Sequence, residues 1–271
     1  MAASTTRSYL VTGGGRGIGR GLSRLLLQSG HRVFLLDNNK EELDHTALIL
    51  SKKHTRGQDF DAVTCNLRKP DEMRSAVEQA SKLFAGHLDV LINNAAHTAA
   101  VGSANAGNMP LDLWNASIET NLTAPMLMSQ YCLPILQKSE SRTAGGSIIH
   151  MSSTRAFMSE PDNEAYSATK AGLLGLTQSM AVSLAPQNVR VNAILPGWIN
   201  VANETKEADG KGMKWEDGLT KDDHAWHLNG RVGKVEDIWR AVEYLVENDF
   251  ASGTELVVDG GVTRKMVYPE E

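Results

Sequence analysis

Short, almost wholly apolar runs alternate along this chain with longer segments in which apolar residues recur at helical spacing. Ser8–Thr12 (SYLVT) predicts a strand that runs into a glycine cluster. Over Gly17–Ser29, residues Ile18, Leu22, Leu25 and Leu26 repeat as on a helix, and Gly30 supplies a stop. Arg32–Asp37 and Phe60–Cys65 predict the second and third strands, with helices over Glu41–Lys53 and over Asp71–Phe84 behind Pro70. Leu88–Ile92 predicts a fourth strand, followed by a loop of small residues from Ala95 to Met109. Leu111–Gln137 predicts one long helix, in which Pro125 removes a backbone hydrogen bond and should produce a bend. Ser147–Met151, Val189–Leu195 and Glu255–Asp259 complete the strands; Glu164–Leu184 and Val235–Glu247 complete the helices.

Strands that read as continuous apolar runs are buried on both faces, and helices between them make a parallel sheet. The expected fold is therefore α/β: a doubly wound Rossmann fold with a seven-stranded, mainly parallel sheet and helices on both faces. Ligands of such sheets bind outside the carboxyl ends of the strands. No linker, repeat or low-complexity tract divides the chain, so one domain over residues 1–271 is expected. Within Asn200–Gly230 the chain turns polar, with scattered aromatic residues and three glycines. A segment that long between a strand and a helix predicts a lid, at about 198–230, over the binding site.

Composition narrows the partners. A length of 271 residues, 41% of them hydrophobic, suffices for one sizeable core. The net charge of -5, with the two signs interspersed and no basic run, argues against nucleic acid. Cys65 and Cys132 are the only cysteines, without a CxxC pair or a Cys/His cluster; both read as small buried hydrophobes, and neither a disulfide nor a metal site is expected. No apolar run approaches the ~20 residues that span a bilayer, and Tyr9–Val11 already read as strand where a signal peptide would be apolar. A cytoplasmic, reducing location and no membrane partner are expected.

Thr12-Gly13-Gly14-Gly15-Arg16-Gly17-Ile18-Gly19 lies between the first strand and the first helix. Glycines there let the backbone approach a pyrophosphate, whose charge the amides of a helix N-terminus can hold. Asp37, at the end of the second strand, suits either the ribose diol of an adenosine or the N-cap of the following helix. A carboxylate there repels a 2′-phosphate, and Arg16 and Lys40 are the cations nearby in sequence. NAD is expected over NADP.

Tyr166 and Lys170 stand four residues apart at the start of a helix, which puts both on one face. An ammonium beside a phenol favours the phenolate, so Lys170 should lower the Tyr166 pKa and suit it to exchange protons with a substrate oxygen. Ser153 precedes Tyr166 by thirteen residues, just past the fifth strand, and would reach the same crevice. Ser152 is its competitor for that role, and either hydroxyl could simply bond local backbone.

Taken together and in order, these segments make the chain resemble the short-chain dehydrogenase/reductase family over nearly its whole length. TGGGRGIG matches the family's TGxxxGxG turn, Asn93-Asn94-Ala95-Ala96 its NNAG motif, and Asn121 its helix asparagine. Ser153, Tyr166 and Lys170 match the catalytic set, Pro196-Gly197 the PG turn, and GRVGKVEDI with VVDGG the C-terminal part. The resemblance implies hydride transfer between a nicotinamide and a small-molecule alcohol or carbonyl, with Tyr166 as general acid/base and Ser153 holding the substrate oxygen. Lys170 would also hold the nicotinamide ribose, and Asn121 would anchor a water that relays the proton outward. It further implies a cofactor site in the glycine turn (Gly13, Arg16, Gly17, Ile18, Gly19), at Asp37, and at Asn66 and Leu67. Asn94, Ala95, Pro196, Gly197 and Ile199 would complete it, with Tyr166 and Lys170 also touching the cofactor. Two residues depart from the pattern: Ala96 replaces the last glycine of NNAG, and Asn66 stands where the family has an aspartate.

Candidates to face the substrate are His97, Thr154, Arg155, Glu160 and Asn163, joined from the lid by Trp198, Met213, Trp215, His224 and Trp226. Their polarity suggests a polyol or sugar-like substrate. His224 and His227 are expected to be solvated lid residues. The predicted helices at 111–137 and 164–184 carry apolar residues on more than one face, and family members commonly form tetramers on these helices, so a homotetramer is expected. Two rivals remain: a non-catalytic NAD(H)-binding regulator on the same scaffold, and a methyltransferase, which shares the glycine turn but does not need the Ser153, Tyr166, Lys170 spacing.

Overall fold

Every strand of the sheet pairs with its neighbours in parallel. The computed structural model describes residues 6–137 and 145–266, so both ends of the expected 1–271 span lie outside the described residues. The strands are β1 (Ser8–Thr12), β2 (Arg32–Asp37), β3 (Phe60–Thr64), β4 (Val90–Asn93), β5 (Ser147–Met151), β6 (Arg190–Pro196) and β7 (Glu255–Val258). Their order is β3-β2-β1-β4-β5-β6-β7, and all pairings are parallel. The doubly wound fold is thus present, and the chain reverses direction across the sheet between β1 and β4.

Alternation along each strand explains why these runs are apolar throughout. Tyr9 and Val11 of β1, with Val33 and Leu35 of β2, pack beneath α1 (Gly17–Gln28), α2 (Lys40–Leu50) and α9 (Val235–Glu247). Leu10, Phe34 and Leu36 point the other way, onto α3 (Pro70–Leu83) and α5 (Ala124–Leu136). Beyond β5, α6 (Glu164–Ser183) lays Leu174 against Ala193 and Leu195 of β6. Both thiols are buried, and burial pushes Cys65 up to about 12.

The long helix expected over Leu111–Gln137 is instead α4 (Leu111–Ile118), a wider π-helical turn (Glu119–Thr123) and α5. Pro125 does mark the interruption, from the second residue of α5 directly after the π turn. It cannot donate to the carbonyl of Asn121, four residues back, and the chain answers with a π turn around that residue. The polar stretch before α9 also contains two short helices that periodicity does not predict, α7 (Lys206–Lys211) and α8 (Lys221–Ala225). Thr205 caps the first through Ala208 N–H, and Thr220 with Asp223 forms a capping box on the second. Among the described residues, no helix is long and apolar enough to cross a membrane.

A histidine sits at the centre of the sheet. His150 of β5 is fully buried, its Nδ1 3.2 Å from Asn93 Nδ2 of β4, and its Nε2 has no partner among the described residues. Burial, with the Lys170 charge as a smaller contribution, lowers its pKa to about 3. The folded protein therefore holds this ring neutral while the unfolded chain protonates it near pH 6.5. Stability from this group is complete above about pH 6.5 and is lost progressively as pH falls toward 3, at about 1.4 kcal/mol per pH unit. Urea midpoints measured from pH 7 to 4 should fall more steeply for the parent protein than for His150→Asn. Parallel curves would show that His150 does not govern the acid limb.

Candidate active site

A clasp between β1 and β4 shapes the crevice. The buried Thr12 hydroxyl oxygen accepts from Asn94 and Ala95 N–H, each at 3.0 Å. Asn94 Nδ2 donates back to the Thr12 carbonyl at 2.9 Å and to the Gly13 carbonyl at 3.2 Å. The two strand ends close on each other so tightly that a Cβ on Gly13, whose φ is +68°, would meet Ala95 Cα at 2.8 Å. Glycine is needed there for both conformation and space. Ala96 has no positive φ, so the alanine at that position adds no backbone strain.

Above the clasp lies a cavity of about 660 Å³. Gly13, Arg16, Gly17 and Ile18 line it from the turn, Asp37 from β2, Asn66 and Leu67 from beyond β3, and Asn94 and Ala95 from beyond β4. Ser153, Tyr166, Lys170, Pro196, Gly197 and Ile199 close the opposite side. Of the expected cofactor residues, Gly19 alone is not in the lining. Its place in α1 is a packing one, since a Cβ would lie 2.0 Å from the Gly13 carbonyl oxygen.

Asp37 accepts from Gly15 N–H and Asn39 N–H, both at 2.9 Å, and so braces the glycine turn. The N-cap of α2 is Asn39, which accepts from Glu42 N–H at 3.1 Å; the capping alternative for Asp37 is thereby answered. Each carboxylate oxygen retains a lone pair for a hydroxyl in the cavity. The cations differ from the expectation. Lys40 does not line the cavity, because it pairs with Asp44 one turn along α2. Arg68 does line it, held by Glu119 at 2.5 Å. No sequence signal marked Arg68, since its approach depends on how β3 and the π turn are juxtaposed.

At the far end, β5 delivers Ser152 and Ser153 to different tasks. Ser152 is buried and donates to the Lys170 carbonyl at 2.8 Å. Ser153 accepts from Arg155 N–H at 3.1 Å, and its hydroxyl is close enough to the Tyr166 phenol to lower it. Lys170 is buried, donates to the Met151 carbonyl at 2.7 Å and lies 5.3 Å from the centre of the Tyr166 ring. Burial lowers the lysine to about 8. The expectation that Lys170 lowers the tyrosine needs correction. Among protein groups alone, burial holds the Tyr166 phenol above its ordinary value, with Ser153 and the Arg155 charge opposing it. The ammonium points at a backbone carbonyl under the ring, where it does not offset the desolvation of the hydroxyl. Asn121 lies behind this group, outside the lining. Its Oδ1 accepts from His97 N–H at 2.6 Å, and its Nδ2 donates to the His97 carbonyl at 3.1 Å and to Thr169 Oγ1 at 3.2 Å.

A second cavity, of about 480 Å³, meets the first at Ser153 and Tyr166. Thr154, Arg155, Glu160 and Asn163 form a polar wall, and Trp198 and Trp226, 6.4 Å apart, supply aromatic surface. His97 lines the larger cavity instead. Three expected residues, Met213, Trp215 and His224, line neither. Trp215 stacks on His224 at 5.9 Å and beneath the Lys234 ammonium at 4.0 Å, so this cluster packs on itself. His227, expected in solvent, is buried: Trp198 and Trp226 pack on its ring, and its Nδ1 lies 3.0 Å from the Asp223 carbonyl.

Known proteins resemble the chain throughout. A family model described as enoyl-(acyl carrier protein) reductase matches residues 13–263. A Thermotoga maritima protein described as an uncharacterized oxidoreductase is 38% identical, over 96% of this chain and 97% of its own. The human dehydrogenase/reductase SDR family member 4 is 30% identical, over 95% of this chain and 87% of its own. The structure of an apo SCOR enzyme from Clostridium thermocellum superposes with a TM-score of 0.80 at 32% identity, covering 97% of this chain and 95% of that one.

The two serines should separate by measurement. Ser152→Ala strips the buried Lys170 carbonyl of a donor and should lower unfolding free energy by about 1–3 kcal/mol. Ser153→Ala, at the cavity wall, should cost less than half of that in chemical denaturation. Equal losses would mean that the hydroxyls do not divide their roles in this way.

Proposed function

This chain belongs to the short-chain dehydrogenase/reductase family, and on that premise we propose that it is an NAD(H)-dependent oxidoreductase interconverting a secondary alcohol and a carbonyl. The observation that carries the reading is the convergence of Ser153, Tyr166 and Lys170 where the two cavities meet. A regulator on this scaffold would need none of the three.

The larger cavity fits a dinucleotide: a glycine turn packed so closely on Ala95 that Gly13 has no room for a Cβ, a carboxylate at Asp37, and amides at the start of α1. Gly13, Arg16, Gly17 and Ile18 would hold the pyrophosphate region, and Asn66 and Leu67 the base. Asn94, Ala95, Lys170, Pro196, Gly197 and Ile199 would hold the nicotinamide end. When bound, the nicotinamide supplies or accepts the hydride. The chain's own residues manage the proton. The Tyr166 phenol donates its proton to the carbonyl oxygen during reduction, and its phenolate receives the alcohol proton during oxidation. The Ser153 hydroxyl, which lines both cavities beside that phenol, holds the substrate oxygen within its reach. Lys170 anchors the ribose, and Asn121 keeps a water that connects Lys170 to solvent. Pro125 favours this last role, because it leaves the Asn121 carbonyl without its usual helical donor.

Asp37 favours NAD, since a 2′-phosphate would face its carboxylate while Arg68 is engaged by Glu119. Residues 198–230 act as the lid of a one-domain enzyme. The polar wall opposite Trp198 and Trp226 suits a polyol or sugar-like substrate. Leu111, Met126 and Val182 leave apolar side chains exposed on α4, α5 and α6, which supports a homotetramer. Two buried free thiols suit a reducing cytoplasm.

Reduced-nicotinamide absorbance, followed with NAD or NADP over a panel of polyols, sugars and secondary alcohols, tests the class. Turnover should favour NAD and fall about 10²- to 10⁴-fold in Tyr166→Phe. Equal turnover in that variant would remove the tyrosine from the chemistry, and preference for NADP would refute the role of Asp37. Light scattering at micromolar concentration should give the tetramer mass; a monomer would overturn the assembly.

A further inference from the structure

We propose that Glu160 is a charge filter: by holding Arg155 in an ion pair, it lets the substrate cavity accept neutral hydroxylated molecules and turn away those that carry a carboxylate. The inference rests on the alcohol–carbonyl reading of this site.

Among the described residues lining the 480 Å³ cavity, Arg155 is the one cation and Glu160 the one anion. Their side chains meet as an Nη2–Oε1 ion pair, with Arg155 21% exposed and Glu160 56% exposed. Arg155 is well placed to matter. It lies two residues past Ser153, on a short 3₁₀ turn (Thr154–Ala156), and its backbone N–H is bonded to the Ser153 hydroxyl oxygen. Its charge reaches the Tyr166 phenol, so the guanidinium is near the reacting end of the cavity.

An unpaired guanidinium there would make the cavity an anion site, because its planar fork matches a carboxylate with two parallel hydrogen bonds. Glu160 engages one arm of that fork, through Nη2. A substrate carboxylate must displace Glu160 from Arg155 and then tolerate its charge nearby, whereas hydroxyls can donate to Glu160 and accept from Arg155 without breaking the pair. Because Glu160 is more than half exposed, its bond to Arg155 is weak by the standard of buried pairs. The filter is therefore modest in size, and a single substitution should reverse it.

Sorbitol and gluconate, six-carbon chains that differ in bearing a carboxylate, are suitable probes. Trp198 and Trp226 line the cavity, so quenching of tryptophan fluorescence in the NADH complex reads binding without turnover. The parent protein should bind sorbitol more tightly than gluconate. Glu160→Gln should shift that affinity ratio about three- to fivefold toward gluconate, while Glu160→Asp, which keeps the charge, should retain the parent preference. A parent protein that prefers gluconate, a ratio unmoved in Glu160→Gln, or quenching by neither probe in any variant would overturn the filter. Failure of every alcohol to turn over, with the affinity ratio still moving, would count against the alcohol–carbonyl reading instead.

Discussion

The Lys170 ammonium is buried against the Met151 carbonyl at 2.7 Å, and much of the crevice around Ser153 and Tyr166 is arranged around that contact. A cation is costly to take out of water unless hydrogen bonds replace its hydration, so the lysine cannot move far from the carbonyl without losing its compensation. Met151 is the last residue of β5, and Lys170 stands in the second turn of α6. Ser152 adds a second link between the same elements by donating to the Lys170 carbonyl. With strand end and helix start pinned together, Ser153 and Tyr166 have little choice but to meet. The same burial that fixes the geometry also moves the acid–base balance, lowering Lys170 and raising Tyr166.

The larger cavity depends on different contacts. Thr12 and Asn94 exchange hydrogen bonds across the ends of β1 and β4, the neighbours at which the sheet changes direction. Those bonds satisfy backbone groups that leave the sheet there and would otherwise be unpaired. They also set the floor of the cavity that Asp37 borders from β2. The π turn at Glu119–Thr123 joins the two halves: Arg68 pairs with its Glu119, and Asn121 reaches both His97 after β4 and Thr169 in α6.

The inner strands were legible in the chain because they are buried on both faces, which leaves continuous apolar runs such as SYLVT and RVFLLD. Helices with one apolar stripe, α1 and α9, were equally plain. Legibility failed where a local signal had two structural solutions. Pro125 announced an interruption in a helix, but whether the backbone would bend or widen depended on what surrounded Asn121. Thr205 and Thr220 carried capping chemistry for α7 and α8, yet helices of one or two turns have no periodicity to reveal them.

By itself, the sequence determined the parallel α/β sheet, the position of the glycine turn after β1, and the serine–tyrosine–lysine spacing, because each is written in residues close together in the chain. Tertiary structure alone decided that the neighbouring Ser152 turns to the Lys170 carbonyl and which cation, Arg68 or Lys40, reached the cavity. It also decided that Trp215 and His224 pack on each other while His227 is buried against Trp198 and Trp226. The direction of the tyrosine pKa belongs in the same class. Spacing placed a lysine one helical turn from a phenol, but the balance between attraction and desolvation was settled by residues distant in sequence that remove water from both. Burial is a property of the whole assembly of elements, and no short stretch of the chain contains it.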